Sequence, residues 1–114
     1  MNICIIIPAY NEEDYIVNTL ESLVSQTYPI KEIVIVNDNS TDNTRSIIDS
    51  FSQKYSFIKS ITTKSEAIHL PGSKVINAFY KGFEFIDKEY DLICKIDADL
   101  IFPSNYFESI IAIF

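Results

Sequence analysis

Glu32-Ile33-Val34-Ile35-Val36-Asn37-Asp38-Asn39-Ser40-Thr41-Asp42 holds the logic of this 114-residue chain in miniature. Residues 33–36 are all β-branched and lack the apolar–polar alternation of a strand with one wet face. They read as a strand buried on both sides. The run ends abruptly in amides and a carboxylate. Ser40-Thr41-Asp42 then groups the residue types that cap helix N-termini, and Ile47, Ile48, Phe51 and Tyr55 follow at the spacing of one helical face. A buried strand, a polar turn and an amphipathic helix in this order make the repeating unit of a parallel α/β sheet.

The same unit recurs on both sides. Residues 3–8 are a second continuous apolar run, followed by a helical pattern over residues 14–26 with Ile16, Val17, Leu20, Leu23 and Val24 on one stripe and Tyr28-Pro29 as the stop. Residues 57–62 suggest a weaker, edge-like strand. Residues 64–73, with His69, Pro71 and Gly72, have no period and read as a loop. A helix is expected over residues 74–87, with Val75, Ile76, Phe79, Phe83 and Ile86 inward. A central strand is expected over residues 92–96, and Ser104 is placed to cap a last helix containing Phe107, Ile110 and Ile111. The order β-α-β-α-β-α-β-α argues for one parallel sheet with helices on both faces. Right-handed crossovers bring the strand C-terminal ends to one edge, where such sheets bind ligands. The first strand is expected between the second and the fourth, which sets Tyr10, Asp38 and Asp99 along that edge.

Composition narrows the function classes. The chain is 47% hydrophobic, enough for a core, and carries a formal net charge of −7. No basic cluster exists to neutralise phosphates in series, so a nucleic-acid partner is not expected. Cys4 and Cys94 lie inside apolar runs and read as small buried hydrophobes rather than metal ligands or a disulfide framework. The N-terminus has no basic region or cleavage site of a signal peptide, and no apolar run approaches the roughly 20 residues of a membrane span. A cytoplasmic protein is expected, with the inner face of a membrane as a further location. The final Ile110-Ile111-Ala112-Ile113-Phe114 has no cap or polar tail, so the chain is expected to be incomplete there.

Three strand ends carry the candidate chemistry: Pro8-Ala9-Tyr10-Asn11-Glu12, Asn37-Asp38-Asn39-Ser40 and Asp97-Ala98-Asp99. In an extended segment residues two apart face the same way, so Asp97 and Asp99 can converge on one point. Two hard oxygen donors suit Mg²⁺ or Mn²⁺, and such an ion can bridge diphosphate oxygens. A solvated acidic turn is the alternative. Asp38 either accepts hydrogen bonds from a base or ribose or caps the next helix. Tyr10 either stacks on a base or is a partly buried loop tyrosine. Lys74 either reaches a phosphate or is an exposed lysine, and His69 reads as a solvated loop residue. With two glycines in the chain there is no G-x-G-x-x-G, and there is also no P-loop and no G-x-S-x-G elbow. Asp-x-Asp after the fourth strand argues against an aspartyl-nucleophile phosphatase.

Taken together, these segments resemble the family 2 glycosyltransferases of the GT-A fold. Residues 5–12 look like that family's opening strand and nucleotide loop, and Ser25-Gln26-Thr27-Tyr28-Pro29 like the end of its first helix. Residues 32–44 are similar to its second strand and V-D-D-G-S-T-D signature, and Asp97-Ala98-Asp99 to its D-x-D. The resemblance spans essentially the whole chain. It implies a Rossmann-like three-layer α/β/α sandwich with a mostly parallel sheet, residues 1–114 being the donor-binding part and the acceptor part absent. It further implies that Pro8, Tyr10 and Glu12 line a nucleoside pocket, that Asp38 bonds the base, and that Lys74 lies near the donor. Asp97 would contact the ribose or a metal-bound water and Asp99 would ligate Mn²⁺ or Mg²⁺. The partners implied are a UDP- or GDP-sugar and a glycan or lipid-linked acceptor, with inverting transfer to an acceptor hydroxyl. The family's general base lies beyond its D-x-D, so none is named here, and this chain alone is expected not to transfer sugar. Asn37 and Asn39 depart from the signature's first Asp and its Gly; Asn tolerates positive φ, so the turn can survive. Two alternatives stand beside this reading: a non-catalytic nucleotide-binding fragment, and a nucleotidyltransferase, whose Gly-rich basic loop after the first strand is missing.

Overall fold

The structure is a computed structural model describing residues 1–63 and 73–113, with the side chains of 73–75 outside that description. The elements are β1 (Ile3–Ala9), α1 (Ile16–Val24), β2 (Glu32–Asp38), α2 (Thr44–Lys54), β3 (Ile58–Thr63), α3 (Ser73–Phe83), β4 (Leu92–Lys95) and α4 (Tyr106–Ile111). The described residues form a four-stranded sheet in the order β3-β2-β1-β4, every pair parallel. β1 therefore lies between β2 and β4, as expected, whereas β4, expected as a central strand over residues 92–96, ends at Lys95 and lies at the edge of the described sheet.

Sheet alternation sorts the core into two layers. Ile3, Ile5 and Ile7 of β1, with Ile33 and Ile35 of β2, pack against Ile16, Leu20 and Leu23 of α1, Ile48 of α2 and Phe107 of α4. The opposite face, Cys4, Ile6, Val34 and Val36, packs against Ala78, Phe79 and Phe83 of α3 and against Ile86. The result is a three-layer α/β/α sandwich. α3 lies close because of Gly82: a Cβ there would come within 2.7 Å of Ile6 Cγ2 and 2.9 Å of Val36 Cγ2.

Several boundaries differ from the sequence reading. The inner stripe of α3 holds Ala78, 2% exposed, whereas Ile76 is 56% exposed and does not face the core. The regular helix ends at Phe83 rather than 87 and starts at Ser73. Ser40-Thr41-Asp42 does not cap α2 directly: the helix begins at Thr44, and Asn43 occupies the cap position without a side-chain bond. Asp42 nevertheless reaches the first turn, accepting from the Thr44 amide at 2.9 Å. α4 likewise starts at Tyr106 after Asn105 rather than at a Ser104 cap. The segment read as a loop lies, apart from Ser73, outside the described residues, His69 and Gly72 with it. Burial raises the thiol pKa of both Cys4 and Cys94, in Cys4 with a further contribution from Glu32; Cys4 is buried as expected, whereas Cys94 is only partly buried against the core. No helix among the described residues is long and apolar enough to cross a membrane.

Candidate functional site: an acidic pocket at the strand ends

The C-terminal ends of β1, β2 and β4 enclose a pocket of about 410 Å³ lined by Pro8, Ala9, Tyr10, Glu12, Asp38, Ala78, Asp97, Ala98 and Asp99. Parallel pairing brings these separate stretches together, because β1 is hydrogen-bonded to both neighbours. Six of the residues singled out from sequence, Pro8, Tyr10, Glu12, Asp38, Asp97 and Asp99, meet here. Lys74 falls within α3, but its side chain lies outside the described residues.

The β1 loop and the β2 loop are fastened to each other by side chains. Asn11, in the left-handed region at φ 50°, donates its amide N–H to Ser40 Oγ at 3.0 Å, and its Oδ1 accepts from the Thr41 amide at 2.8 Å. The Glu12 amide donates to Thr44 Oγ1 at 2.8 Å, and Glu13 Oε2 accepts from the Asn43 amide at 3.2 Å. Asn39 also has a positive φ, 57°, so an amide residue does serve where the family signature has glycine. Asn37 is buried and its Oδ1 accepts from the Ser40 amide at 3.3 Å. That bond closes the turn and needs no negative charge, which explains how Asn can stand in for Asp. The polar Ser-Thr-Asp-Asn-Thr stretch thus acts chiefly as a clasp between two loops, a role that helix-capping statistics alone do not reveal.

The electrostatics are acidic. Burial raises the Glu12 carboxyl pKa, and Asp99, Asp42 and Asp97 raise it further in that order. Asp42 is held below the ordinary range. Burial pushes it upward, but the Thr44 hydroxyl and amide and the Glu13 amide outweigh that. Lys95 Nζ donates to Asp97 Oδ1 at 2.9 Å. Among the described residues no group of three or more His, Cys, Asp or Glu side chains is arranged to hold a metal ion. Of the four carboxylates that line the pocket, Glu12, Asp38, Asp97 and Asp99, the pair expected to serve a metal is Asp97 and Asp99. That set fits an ion such as Mg²⁺, which keeps waters and takes one or two carboxylates with substrate phosphates completing its shell.

Pocket residues that sequence reasoning missed are small: Ala9, Ala78 and Ala98. Ala78 is the one that α3 contributes, and its inward-facing position in the helical pattern was the signal available. Their short side chains leave room for a ligand rather than binding one.

Comparison with known proteins identifies the family and the fold. The model of the family "Glycosyl transferase family 2" matches residues 4–114. The chain is 40% identical over 99 residues to a probable glycosyltransferase, YdaM, of Bacillus subtilis, covering 85% of this chain and 22% of that protein. It is 35% identical over 103 residues to the poly-beta-1,6-N-acetyl-D-glucosamine synthase of Staphylococcus epidermidis, covering 90% of this chain and 23% of that one. The crystal structure of S. aureus TarS 1-349 in complex with UDP superposes with a TM-score of 0.78 and 27% identity, over 98% of this chain and 31% of that one. The same TarS segment with UDP-GlcNAc gives a TM-score of 0.74 and 28% identity, over 98% and 30%. The chain spans less than a third of each of these proteins. Its fold is that of the GT-A glycosyltransferases, and with its sequence matching the family model almost end to end, the chain belongs to glycosyl transferase family 2.

Proposed function

We propose that this chain forms the donor-binding part of a glycosyltransferase that takes a uridine-diphospho-sugar, UDP-GlcNAc being the first to test. The observation that carries the reading is the single pocket into which Tyr10, Asp38 and the Asp97/Asp99 pair all open. Tyr10 offers an aromatic face to the base, Asp38 accepts from the base or ribose, Glu12 and Pro8 bound the nucleoside, and Lys74 is assigned a place near the donor on the family resemblance. Asp99 would ligate a Mn²⁺ or Mg²⁺ ion and Asp97 would bind the ribose or a water of that ion. When bound, the ion offsets negative charge on the diphosphate. An acidic pocket by itself repels a diphosphate, so ligand and cation bind there as a unit.

In the proposed reaction an acceptor hydroxyl loses its proton to a base while its oxygen attacks the anomeric carbon. The bond to the diphosphate breaks on the opposite face, its electron pair leaves with the nucleotide, and the configuration inverts. No residue of this chain is assigned as the base. Glu108, the remaining acid after Asp99, is engaged on α4 by Thr27 Oγ1 at 2.7 Å and does not line the pocket. The acceptor is proposed to be a glycan or a lipid-linked saccharide, since one relative is named as a polysaccharide synthase. Titrating UDP-GlcNAc with diamagnetic Mg²⁺ into isotopically labelled protein tests the reading: amide resonances of residues 9–12, 38–40 and 97–99 should shift together. Shifts confined to other residues, or none at millimolar ligand, would refute it.

A further inference from the structure

Residues 96–105, which carry both aspartates and lead to α4, form neither helix nor strand. The polar groups of such a backbone need partners from elsewhere. α1 supplies them from one stripe. Thr19 Oγ1 donates to the Ala98 carbonyl at 2.9 Å in a buried bond. Ser22 Oγ accepts from the Phe102 amide at 3.1 Å. Gln26, just beyond the helix, donates from Nε2 to the Pro103 carbonyl at 2.7 Å and accepts at Oε1 from the Phe107 amide at 3.1 Å. Positions 19, 22 and 26 are spaced three and four apart, so they share one helical face. The main chain reinforces the stripe through the Thr27 amide, which donates to the Ser104 carbonyl at 2.8 Å.

Thr19 is the member nearest the chemistry. Its side chain is fully buried, and its bond falls on the peptide oxygen of the residue between Asp97 and Asp99. A hydroxyl has one proton to give. Its second acceptor, the Tyr15 carbonyl at 3.3 Å, is the more distant, so the proton belongs mainly to Ala98. We propose that Thr19 is a positioning residue that fixes the Asp97-Ala98-Asp99 turn and thereby the direction of both carboxylates, with Ser22 and Gln26 making α1 the rigid mount of the whole segment. The inference rests on the reading of the pocket as a metal and nucleotide site.

Replacing Thr19 by Val keeps shape and volume and removes only the donor, whereas Thr19→Ser keeps the donor. UDP titrated calorimetrically in Mn²⁺ should bind Thr19→Val about tenfold more weakly than wild type, the scale of one lost hydrogen bond. Thr19→Ser should return to within about twofold. In chelator the residual UDP affinity of Thr19→Val should fall much less than in Mn²⁺, because Tyr10 and Asp38 are untouched, whereas a general loosening of the fold would weaken both conditions alike. Wild-type affinity in a folded Thr19→Val overturns the proposal. If Thr19→Val does not fold, Ser22→Ala decides: a several-fold loss in Mn²⁺ supports the mount, and unchanged affinity overturns it. A wild-type chain without Mn²⁺-dependent UDP binding refutes the reading of the pocket instead. The Asp99 amide resonance then settles the Thr19 role: displacement in Thr19→Val and recovery in Thr19→Ser supports it, and no displacement overturns it.

Discussion

The two ends of the sheet treat charge in opposite ways. At the N-terminal ends acids meet bases or donors at close range. Glu32 Oε2 pairs with Lys59 at 2.7 Å and its Oε1 accepts from the Asp87 amide at 3.1 Å. Asp87 pairs with Lys31 at 3.7 Å, and Asp91 accepts from the Asn2 amide at 2.6 Å. At the C-terminal ends Glu12, Asp97 and Asp99 share one pocket; Lys95 pairs with Asp97 at 2.9 Å, yet each of those aspartates still raises the Glu12 pKa. Matched charges there join loops, while clustered acids here store electrostatic work that a cation can release. The first end is read as structure and the second as a binding site, and each variant below tests whether the two can be separated.

The largest effect is expected where one helix serves both ends. α3 brings Ala78 to the pocket and leads through Ile86 to Asp87 at the far end. Gly82→Val would push its Cβ into Ile6 and Val36, so stability should fall by about 1–3 kcal/mol, the cost of overpacking, and UDP affinity with it. A denaturant melt and a UDP titration check this, and a variant as stable as wild type would show that the helix does not need that closeness. Next in size is Asp99→Ala, for which Mn²⁺-dependent UDP binding should weaken by about 1–3 kcal/mol while the melting temperature does not fall. A lowered melting temperature with unchanged affinity would reverse the roles assigned to the two ends. Glu32→Ala is the counterpart. It should cost about 1–2 kcal/mol of stability, mostly from the Asp87 amide left without its acceptor, since Lys59 is half exposed and its ion pair is screened. Nucleotide affinity should not change.

The smallest effects are in pH dependence, and they should have opposite signs. A hydrogen bond from the Glu89 amide and the nearby Lys31 hold the Asp87 carboxyl below its ordinary pKa. Its stabilising contribution is therefore present above the unfolded-state value and is lost as pH falls through the folded one. Asp87→Asn should be less stable than wild type at pH 7, with the gap closing in acid. Glu12 is raised, by burial first, so its ionised form opposes folding at neutral pH. Glu12→Gln should melt above wild type at pH 7, and the difference should vanish as pH drops through the folded pKa. Parallel melting curves from pH 7 to 3 would show both trends; a destabilised Glu12→Gln at pH 7 would contradict the electrostatic picture of the pocket.

Much of the fold was legible because buried parallel strands announce themselves. Residues 3–8 and 33–36 have few ways to satisfy so many β-branched side chains other than a two-faced interior, and helical stripes between strands force the parallel order. The convergence of these residues on one pocket was legible by extension, because polar residues immediately after parallel apolar strands collect at one sheet edge. What the pattern could not express was contact between distant backbone and side chain. Asn11 bonding to Thr41, Thr19 to Ala98 and Gln26 to Phe107 depend on tertiary placement, and as isolated letters these residues resemble ordinary turn and surface positions. Ile76 misled for the converse reason: it has the spacing of an inward residue, but α3 is turned so that Ala78 and Gly82 face the sheet. Small residues leave no periodic hydrophobic signal, although they determine how close the helix lies.

The most direct test of the central claim is a calorimetric titration of UDP into this chain, once with Mn²⁺ and once with chelator. Saturable one-to-one binding is expected in Mn²⁺, weakening about tenfold or more when the metal is removed, the scale of one lost charge-assisted contact. Equal affinity in both conditions, or no binding in either, would contradict it.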